Sequence, residues 1–382
     1  MQDITRRGAL ARLVSIGAGA PVIASACVPI LSACSKSGAA ARAGEVVLYS
    51  SVDEPLLREI VSVYTREHAG RVLVVGDTEA TKTTGLLQRL IAERESPRCD
   101  VWWSNEAFST IGLARQGLLE PLPIASDLRA IGWPEELIGA GDQWIGFGQR
   151  ARVIVSNVQR VSAERTPTAL SDLLRPDLKG RIGMARPQFG TTRGHVAALV
   201  AAHGAGPTEA FLGALKANGV RLYDGNSLVV RAVAMGEIDV GLTDTDDVFA
   251  GQRNGWPVGM TIERFDEPGP GSSASGESGS GVLPSIGPLV IPNTVARMKN
   301  GPESRRAERT RPDASDALVA FLVSERLERL LAESEAGNIP VRPGLGSATR
   351  AITIGRPMPV RLEDVESRID EALAIASRTL GA

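Results

Sequence analysis

The chain has 382 residues, 43% apolar and 23% charged, a balance that fits a folded soluble protein with length enough for two lobes and excludes a disordered one. Its 42 basic and 44 acidic residues leave a formal charge of -2, so no net field draws it to nucleic acid or to an anionic bilayer. Three histidines (His68, His195, His203) and three scattered cysteines (Cys27, Cys34, Cys99) exclude a zinc cage of the usual spacing and a disulfide scaffold.

Arg6, Arg7 and Arg12 precede an uncharged stretch, residues 13–33, that ends at Cys34. This is the layout of an export signal, and Pro21 and Pro29 make the stretch a poor permanent membrane helix. Leu31-Ser32-Ala33-Cys34 resembles the lipobox of bacterial lipoproteins, which implies removal of residues 1–33 and a lipid on Cys34. Cys27 fits less well, because Ala24 stands where a branched aliphatic belongs, and Arg6-Arg7 resembles a twin-arginine signal. An uncleaved anchor is the alternative, and either way the bulk of the chain is expected outside the cytoplasm. Residues 34–44 read as the lipidated cysteine with a flexible tether. Cys99 is expected to be buried beside Asp100-Val101.

From Glu45 the chain alternates. Val46 to Tyr49 is a wholly apolar run suited to a buried parallel strand, and Pro55 opens a helix carrying Leu56, Leu57, Ile60, Val61 and Tyr64. A strand over 71–75 precedes a helix over 83–93, and a strand over 101–103 precedes a helix over 107–116 ended by Gly117. A second series follows: strands over 153–155, 181–184 and 238–242, with a helix over 207–217. Such alternation predicts α/β architecture. Residues 267–281 are low-complexity Gly and Ser, expected to form a mobile surface loop and not a phosphate loop. A strand over 288–291 and helices over 314–331 and 362–380 complete the chain.

The order and spacing of several segments resemble the bacterial extracellular solute-binding proteins of ABC importers, within them the branch of the periplasmic ferric-ion-binding proteins. The markers are Val47-Leu48-Tyr49-Ser50, Asp100-Val101-Trp102-Trp103, Gly117-Leu118-Leu119-Glu120-Pro121, Trp144-Ile145-Gly146-Phe147, Arg150-Ala151-Arg152-Val153 and Leu178-Lys179-Gly180-Arg181. Asn226-Ser227, Gly236-Glu237-Ile238-Asp239 and Asn338-Ile339-Pro340-Val341 follow. The resemblance implies a two-lobed periplasmic-binding-protein (Venus flytrap) fold, each lobe a mainly parallel sheet flanked by helices. Residues 45–147 with 286–382 would form lobe 1 and 148–285 lobe 2, with crossing strands near 147–153 and 283–289. A hinge closure on the ligand is implied with it.

The ferric branch places a His after its first strand, a Glu after its third and two adjacent Tyr late in the second lobe. Those positions fall here on Asp53, on Asn105 with Glu106 next to it, and on Asp246-Asp247. All depart from the pattern, yet carboxylates keep hard anionic oxygens, so Asp53, Glu106, Asp246 and Asp247 are the candidate metal ligands, and Asp244 and Ser51 share their loops. The same acids also suit helix N-termini as caps. The branch's synergistic anion site falls on Thr191, Thr192, Arg193 and Asn226, with Arg152 as an added guanidinium and Arg150 and Arg152 also readable as salt-bridge partners. Thr81, Thr83 and Thr84 would open another helix toward the cleft, near Lys82.

The implied role is capture of Fe(III), or another hard cation, with a carbonate-like anion as cargo, no cofactor being required. The implied partners are an ABC permease and ATPase. Membrane contact is expected through the lipid alone, and the protein is expected to be a monomer that binds no nucleic acid. Small organic cations or oxyanions (thiamine-like, polyamine, phosphonate) remain alternative ligands, with Trp102 and Trp103 expected in the core and so not available for sugar stacking. A ligand-sensing receptor is a different class of function. A periplasmic hydrolase is another, but no Gly-x-Ser-x-Gly elbow occurs and His195 and His203 have no placed nucleophile.

Overall fold

In chain order the elements of the computed structural model are β1 (Glu45–Ser50), α1 (Glu54–Glu67), β2 (Arg71–Gly76), α2 (Thr84–Ala92), β3 (Val101–Ser104), α3 (Ala107–Arg115), β4 (Leu119–Glu120), α4 (Ala125–Ala130) and β5 (Trp144–Asn157). They continue with β6 (Ile182–Ala185), α5 (Gly190–His203), α6 (Ala205–Ala217), β7 (Arg221–Tyr223), α7 (Asn226–Ala234), β8 (Val240–Asp244), α8 (Thr245–Arg253) and β9 (Val258–Thr261). The last are β10 (Val290–Met298), α9 (Pro312–Leu322), α10 (Glu325–Glu333), α11 (Leu362–Ser367) and α12 (Ile369–Leu380). The structure describes residues 45–68, 70–77, 84–266, 282–300, 312–349 and 351–381. Cys34 and the export segment, Thr81, Lys82 and Thr83, and the 267–281 stretch lie outside them.

The strands pair in the order β2-β1-β3-β10-β5-β8-β6-β7, with β4 beside β10 and β9 beside β5. The outer parts are parallel, β1 with β2 and β3, and β6 with β7 and β8. The strands that pass between the halves run antiparallel, which makes the sheet mixed: β10 pairs antiparallel with β3 and β5, and β5 with β8. Every residue of β1 is buried, as a parallel strand covered on both faces requires. Alternation then sorts its side chains. Val46 and Leu48 join Trp103, Ile60 and Phe321 on one face, while Val47 and Tyr49 join Trp102, Leu86 and Ile111 on the other. Trp102 and Trp103 are both 0% exposed, the core positions expected of them.

β5 carries the chain from one half to the other. Trp144 to Ala151 pair with β10, and Arg152 to Ser156 pair with β8. The return crossing lies later than expected: Val290 pairs with Ala151, and the Arg152 backbone N–H donates to Leu289 O at 2.9 Å, so the chain rejoins β5 only at the end of the 283–289 stretch and β10 begins just after it.

Three expectations about the C-terminal region are corrected. The helix read over 314–331 is α9 and α10, broken where Ser324 takes extended backbone and its hydroxyl accepts the Leu327 N–H at 3.2 Å. The helix read over 362–380 is α11 and α12, jointed at Arg368. More consequentially, α12 does not return to the β1 half. Ala372, Ile375, Ala376 and Leu380 share a core with Leu199, Phe211, Leu212 and Leu215 of α5 and α6. The reason is α5, buried nearly all round, whose apolar outer face needs a covering helix. The assignment of all of 286–382 to lobe 1 therefore fails at α12.

Candidate functional site

Three helices of the second half start at one place. The N-caps of α5 (Phe189), α7 (Gly225) and α8 (Asp244) make no side-chain capping bond, and all three line one cavity together with Gly190, Asn226 and Asp246 of the first turns that follow. Gly190 has φ 55°, and a Cβ there would meet nothing within 4 Å, so the backbone itself faces open space at this turn. Each helix end contributes free N–H groups and the positive end of its dipole. The cavity is small, about 70 Å³. Sites for drug-sized molecules run to ~300–1,000 Å³.

Under this floor lies a buried polar network. Arg152, 2% exposed, sits opposite Asp244 in the β5–β8 register and donates through Nη1 to Asp244 Oδ1 at 2.7 Å, and to Thr191 Oγ1 and Asn226 Oδ1 at 3.2 Å each. The Asn226 amide donates to Asp244 Oδ2 at 3.0 Å and to Thr191 Oγ1 at 2.9 Å, and Thr191 also donates to Asp244. Thr192 Oγ1 donates to Asn226 Oδ1 at 3.3 Å. Two residues earlier on β5, and so on the same side of the strand, Arg150 Nη1 donates to Asp246 Oδ2 at 2.8 Å. Burial works against the Arg150 charge, but the Asp246 and Asp244 carboxylates outweigh it and hold its pKa above the ordinary arginine value. Burial pushes the Asp246 carboxyl upward, Arg150 opposes the shift, and Asp244 and Asp53 add to it.

Asp244, Asp246 and Asp247 offer oxygens that all lie within 4.8 Å of one another. From the other side of the cavity come Asp53 and Asn105. The lining thus holds five carboxylates (Asp53, Asp224, Asp244, Asp246, Asp247) against two guanidiniums (Arg150, Arg186), and with Arg152 beneath, the acids remain in surplus. Arg186 and Asp224 pair with each other at 2.9 Å on the rim.

Of the residues selected from the sequence, Asp53, Asn105, Thr191, Thr192, Asn226, Asp246 and Asp247 line the cavity. The capping alternative does not describe Asp53 or Asp244, whose side chains cap nothing, although Asp246 Oδ1 does accept the Asp247 N–H at 3.1 Å. Four choices are corrected. Glu106 is 0% exposed and its carboxylate caps α3, accepting from Phe108 N at 2.6 Å and Ser109 N at 3.1 Å, so it is no cleft ligand. Arg193 turns to that same helix, donating to Ser109 Oγ at 3.1 Å with the Glu106 carboxylate at 3.6 Å, so it holds the two halves together and does not line the cavity. Arg152 is committed to Asp244. Ser51 is buried and bonds Asn105, donating to Oδ1 and accepting from the backbone N–H, each at 3.0 Å. The residue most undervalued is Arg150, which lines the cavity where Arg152 was expected to.

A two-lobed α/β frame with a polar cavity between its halves, floored by helix N-termini, defines an extracellular solute-binding fold. The sequence profile of the family described as bacterial extracellular solute-binding protein matches residues 46–334, and the chain belongs to that family. The Synechocystis sp. iron uptake protein A1 is 27% identical over 344 residues, covering 87% of this chain and 86% of that protein. The Serratia marcescens Fe(3+)-binding periplasmic protein is 30% identical over 199 residues, covering 52% of this chain and only 56% of that protein. Among solved structures, iron-bound HitA from Pseudomonas aeruginosa superposes with a TM-score of 0.71 at 23% identity, over 88% of this chain and 99% of that one. A likeness at that identity establishes the fold.

Proposed function

We propose that the chain is the extracytoplasmic solute-binding component of an ABC importer, and that its cargo is ferric iron or another hard cation taken up together with an oxyanion. The observation that carries this reading is the carboxylate surplus around a 70 Å³ cavity, with three of the acids bringing oxygens within 4.8 Å of one another. Hard anionic oxygens at that spacing suit a hard cation, which also relieves their repulsion. The names of the Serratia and Synechocystis relatives support iron as the first candidate. The protein acts by binding and release and catalyses no reaction. It is exported and anchored through a lipid on Cys34, and it delivers cargo as a monomer to a permease driven by an ATPase.

The test is metal analysis with native mass spectrometry of protein purified without added ligand, followed by thermal unfolding with Fe(III) citrate. A cation bound only by the folded state adds about 2.7 kcal/mol at a hundredfold excess over Kd. Stabilisation by Fe(III), weakened about tenfold or more in affinity by Asp246→Asn with Asp247→Asn, is the expected result. Stabilisation by phosphate or a phosphonate alone, indifferent to those two substitutions, overturns the metal and leaves an oxyanion binder.

A further inference from the structure

Helix α8 faces two ways. Its first turn brings Asp246 and Asp247 to the cavity, while its last residue, Arg253, reaches across to the β1 half, where Nη2 donates to Ser334 O at 2.7 Å and Nη1 to Glu335 O. Ser334 is the C-cap of α10, whose Leu327 and Leu331 share a core with Val46 and Leu48. The last carbonyls of a helix have no partner within it and form the negative end of its dipole, so a guanidinium there serves as donor and counter-charge together. One turn before Arg253, Phe249 is half-buried yet joins none of the hydrophobic cores among the described residues. Its ring lies on Gly337 of the β1 half, where φ is 56° and an added Cβ would come 2.8 Å from Phe249 Cδ2. The stretch they grip is firmly seated: Glu328 accepts the Val341 N–H at 3.0 Å, and Gln149 and Ile339 exchange backbone bonds at 2.8 and 2.7 Å. The contact itself is narrow, with a crevice of about 620 Å³ beside it, lined by Phe249, Arg253, Gly337, Ser347 and Thr349 among others. A few contacts beside open space can part, as a packed core cannot.

We propose that Arg253 is a positioning residue for the cargo site: with Phe249 it latches α8 to the end of α10 and so sets, from outside the cavity, how tightly the cargo is held. This rests on the functional reading above and deepens it. The latch and the cargo acids stand on one nine-residue helix, so a displacement that separates Arg253 from Ser334 also carries Asp246 and Asp247 away from Asp53. The cargo is enclosed only while the halves are together, and apparent affinity scales with the fraction of protein in that form. Arg253 raises this fraction without touching the cargo. Its effect therefore falls on release: an open protein has yet to make the latch when cargo enters, whereas a closed one must break it before cargo leaves.

Two measurements on the full chain test this. Stopped-flow tryptophan fluorescence with Fe(III) nitrilotriacetate separates association from dissociation, and small-angle scattering gives the radius of gyration of the ligand-free protein. Arg253→Gln is expected to release Fe(III) about three- to tenfold faster with its association rate unchanged, the range set by charge-assisted bonds at an exposed helix end. Its ligand-free radius of gyration is expected to exceed that of the wild type, because the latch no longer favours the closed form. Arg253→Lys keeps the charge at the end of α10 without the fork, so its release rate should fall between the two. Phe249→Ala, which leaves Arg253 in place, should move both quantities in the same direction as Arg253→Gln. A dissociation rate and a ligand-free radius both equal to those of the wild type overturn the proposal. A loss confined to the association rate overturns it as well, since that would place Arg253 in capture of the cargo. Wild-type protein that never binds Fe(III) sinks the metal reading instead; the ligand-free radius then decides the latch alone, and the two failures are separately visible.

Discussion

Replacing Glu263 by glutamine is expected to abolish a steep fall of stability with pH. The carboxyl follows β9, is 7% exposed, accepts from Ser285 Oγ at 2.9 Å, and lines with Arg152 and His195 a void of about 10 Å³ behind the site. Burial raises its pKa from 4.5 to about 8, against the opposing hydrogen bonds from Ser285 and the Leu170 backbone. That displacement corresponds to roughly 5 kcal/mol at about 1.36 kcal/mol per tenfold in the protonation equilibrium. Between pH 4.5 and 8 the folded state holds a proton that the unfolded state has released. Stability from this group is therefore complete below 4.5, falls by about 1.4 kcal/mol per pH unit, and is gone above 8. Glutamine keeps the acceptor for Ser285 and cannot ionise, so the variant should match the wild type at pH 5 within ~1 kcal/mol and exceed it by several kcal/mol at pH 9. Urea unfolding of both proteins from pH 5 to 9 isolates the effect, since all other titrations cancel in the difference. Parallel curves for the two proteins would refute the reasoning.

Glu328 on α10, 0% exposed, accepts backbone N–H bonds from Gly148 at 2.9 Å, Val341 at 3.0 Å and Arg342 at 2.7 Å. Glu328→Ala orphans all three and should cost roughly 3 to 6 kcal/mol in urea unfolding, whereas a loss below about 1 kcal/mol would mean that other acceptors replace it. At Gly194 an added Cβ would lie 2.0 Å from a ring carbon of Phe108, at the place where α5 meets α3. Gly194→Ala should cost about 3 kcal/mol, recovered in part by Phe108→Leu in the double variant; additive losses would show that the two residues do not meet. Asp53→Asn should weaken Fe(III) binding, measured by competition with nitrilotriacetate, without lowering the melting temperature of the ligand-free protein, because the Asp53 side chain caps no helix and its charge pushes against Asp246. A fall in melting temperature with unchanged affinity would make it a structural residue.

The fold was legible because its signals are local. Apolar runs such as Val46 to Tyr49 and the helical spacing of Leu57, Ile60 and Tyr64 mark strand and helix without knowledge of partners, and the order of elements does the rest. The site was legible by loop but not by side chain. Asn105 and Glu106 are neighbours at the end of β3, and only the entry angle of α3 decides that Asn105 faces the cavity while Glu106 folds back to cap. Arg150 and Arg152 lie on the same side of β5, and their roles divide on register: Arg152 is paired with Asp244 in the ladder, leaving Arg150 to face the cavity. The position of α12 was illegible for a related reason. Its apolar stripe states that something is covered, and the bare face of α5 is a property of the assembled second half.

The asymmetry of the cavity bears on the order of events. Of its sixteen lining residues, only Asp53 and Asn105 come from the β1 half, so the second half presents a nearly complete receptor by itself. Asp53 adds to the upward push on Asp246, which means the two carboxylates repel across the cavity. Bringing the β1 half close therefore raises the electrostatic energy while the acids are unbalanced, and it lowers that energy once a cation lies between them. The same residue opposes closure in one state and favours it in the other. Differential interaction of this kind is what a ligand needs in order to bias a hinge, since a contact of equal strength in open and closed forms would shift nothing. Under the proposed function, this exchange of sign at Asp53 would tie capture of the cation to closure without any further element.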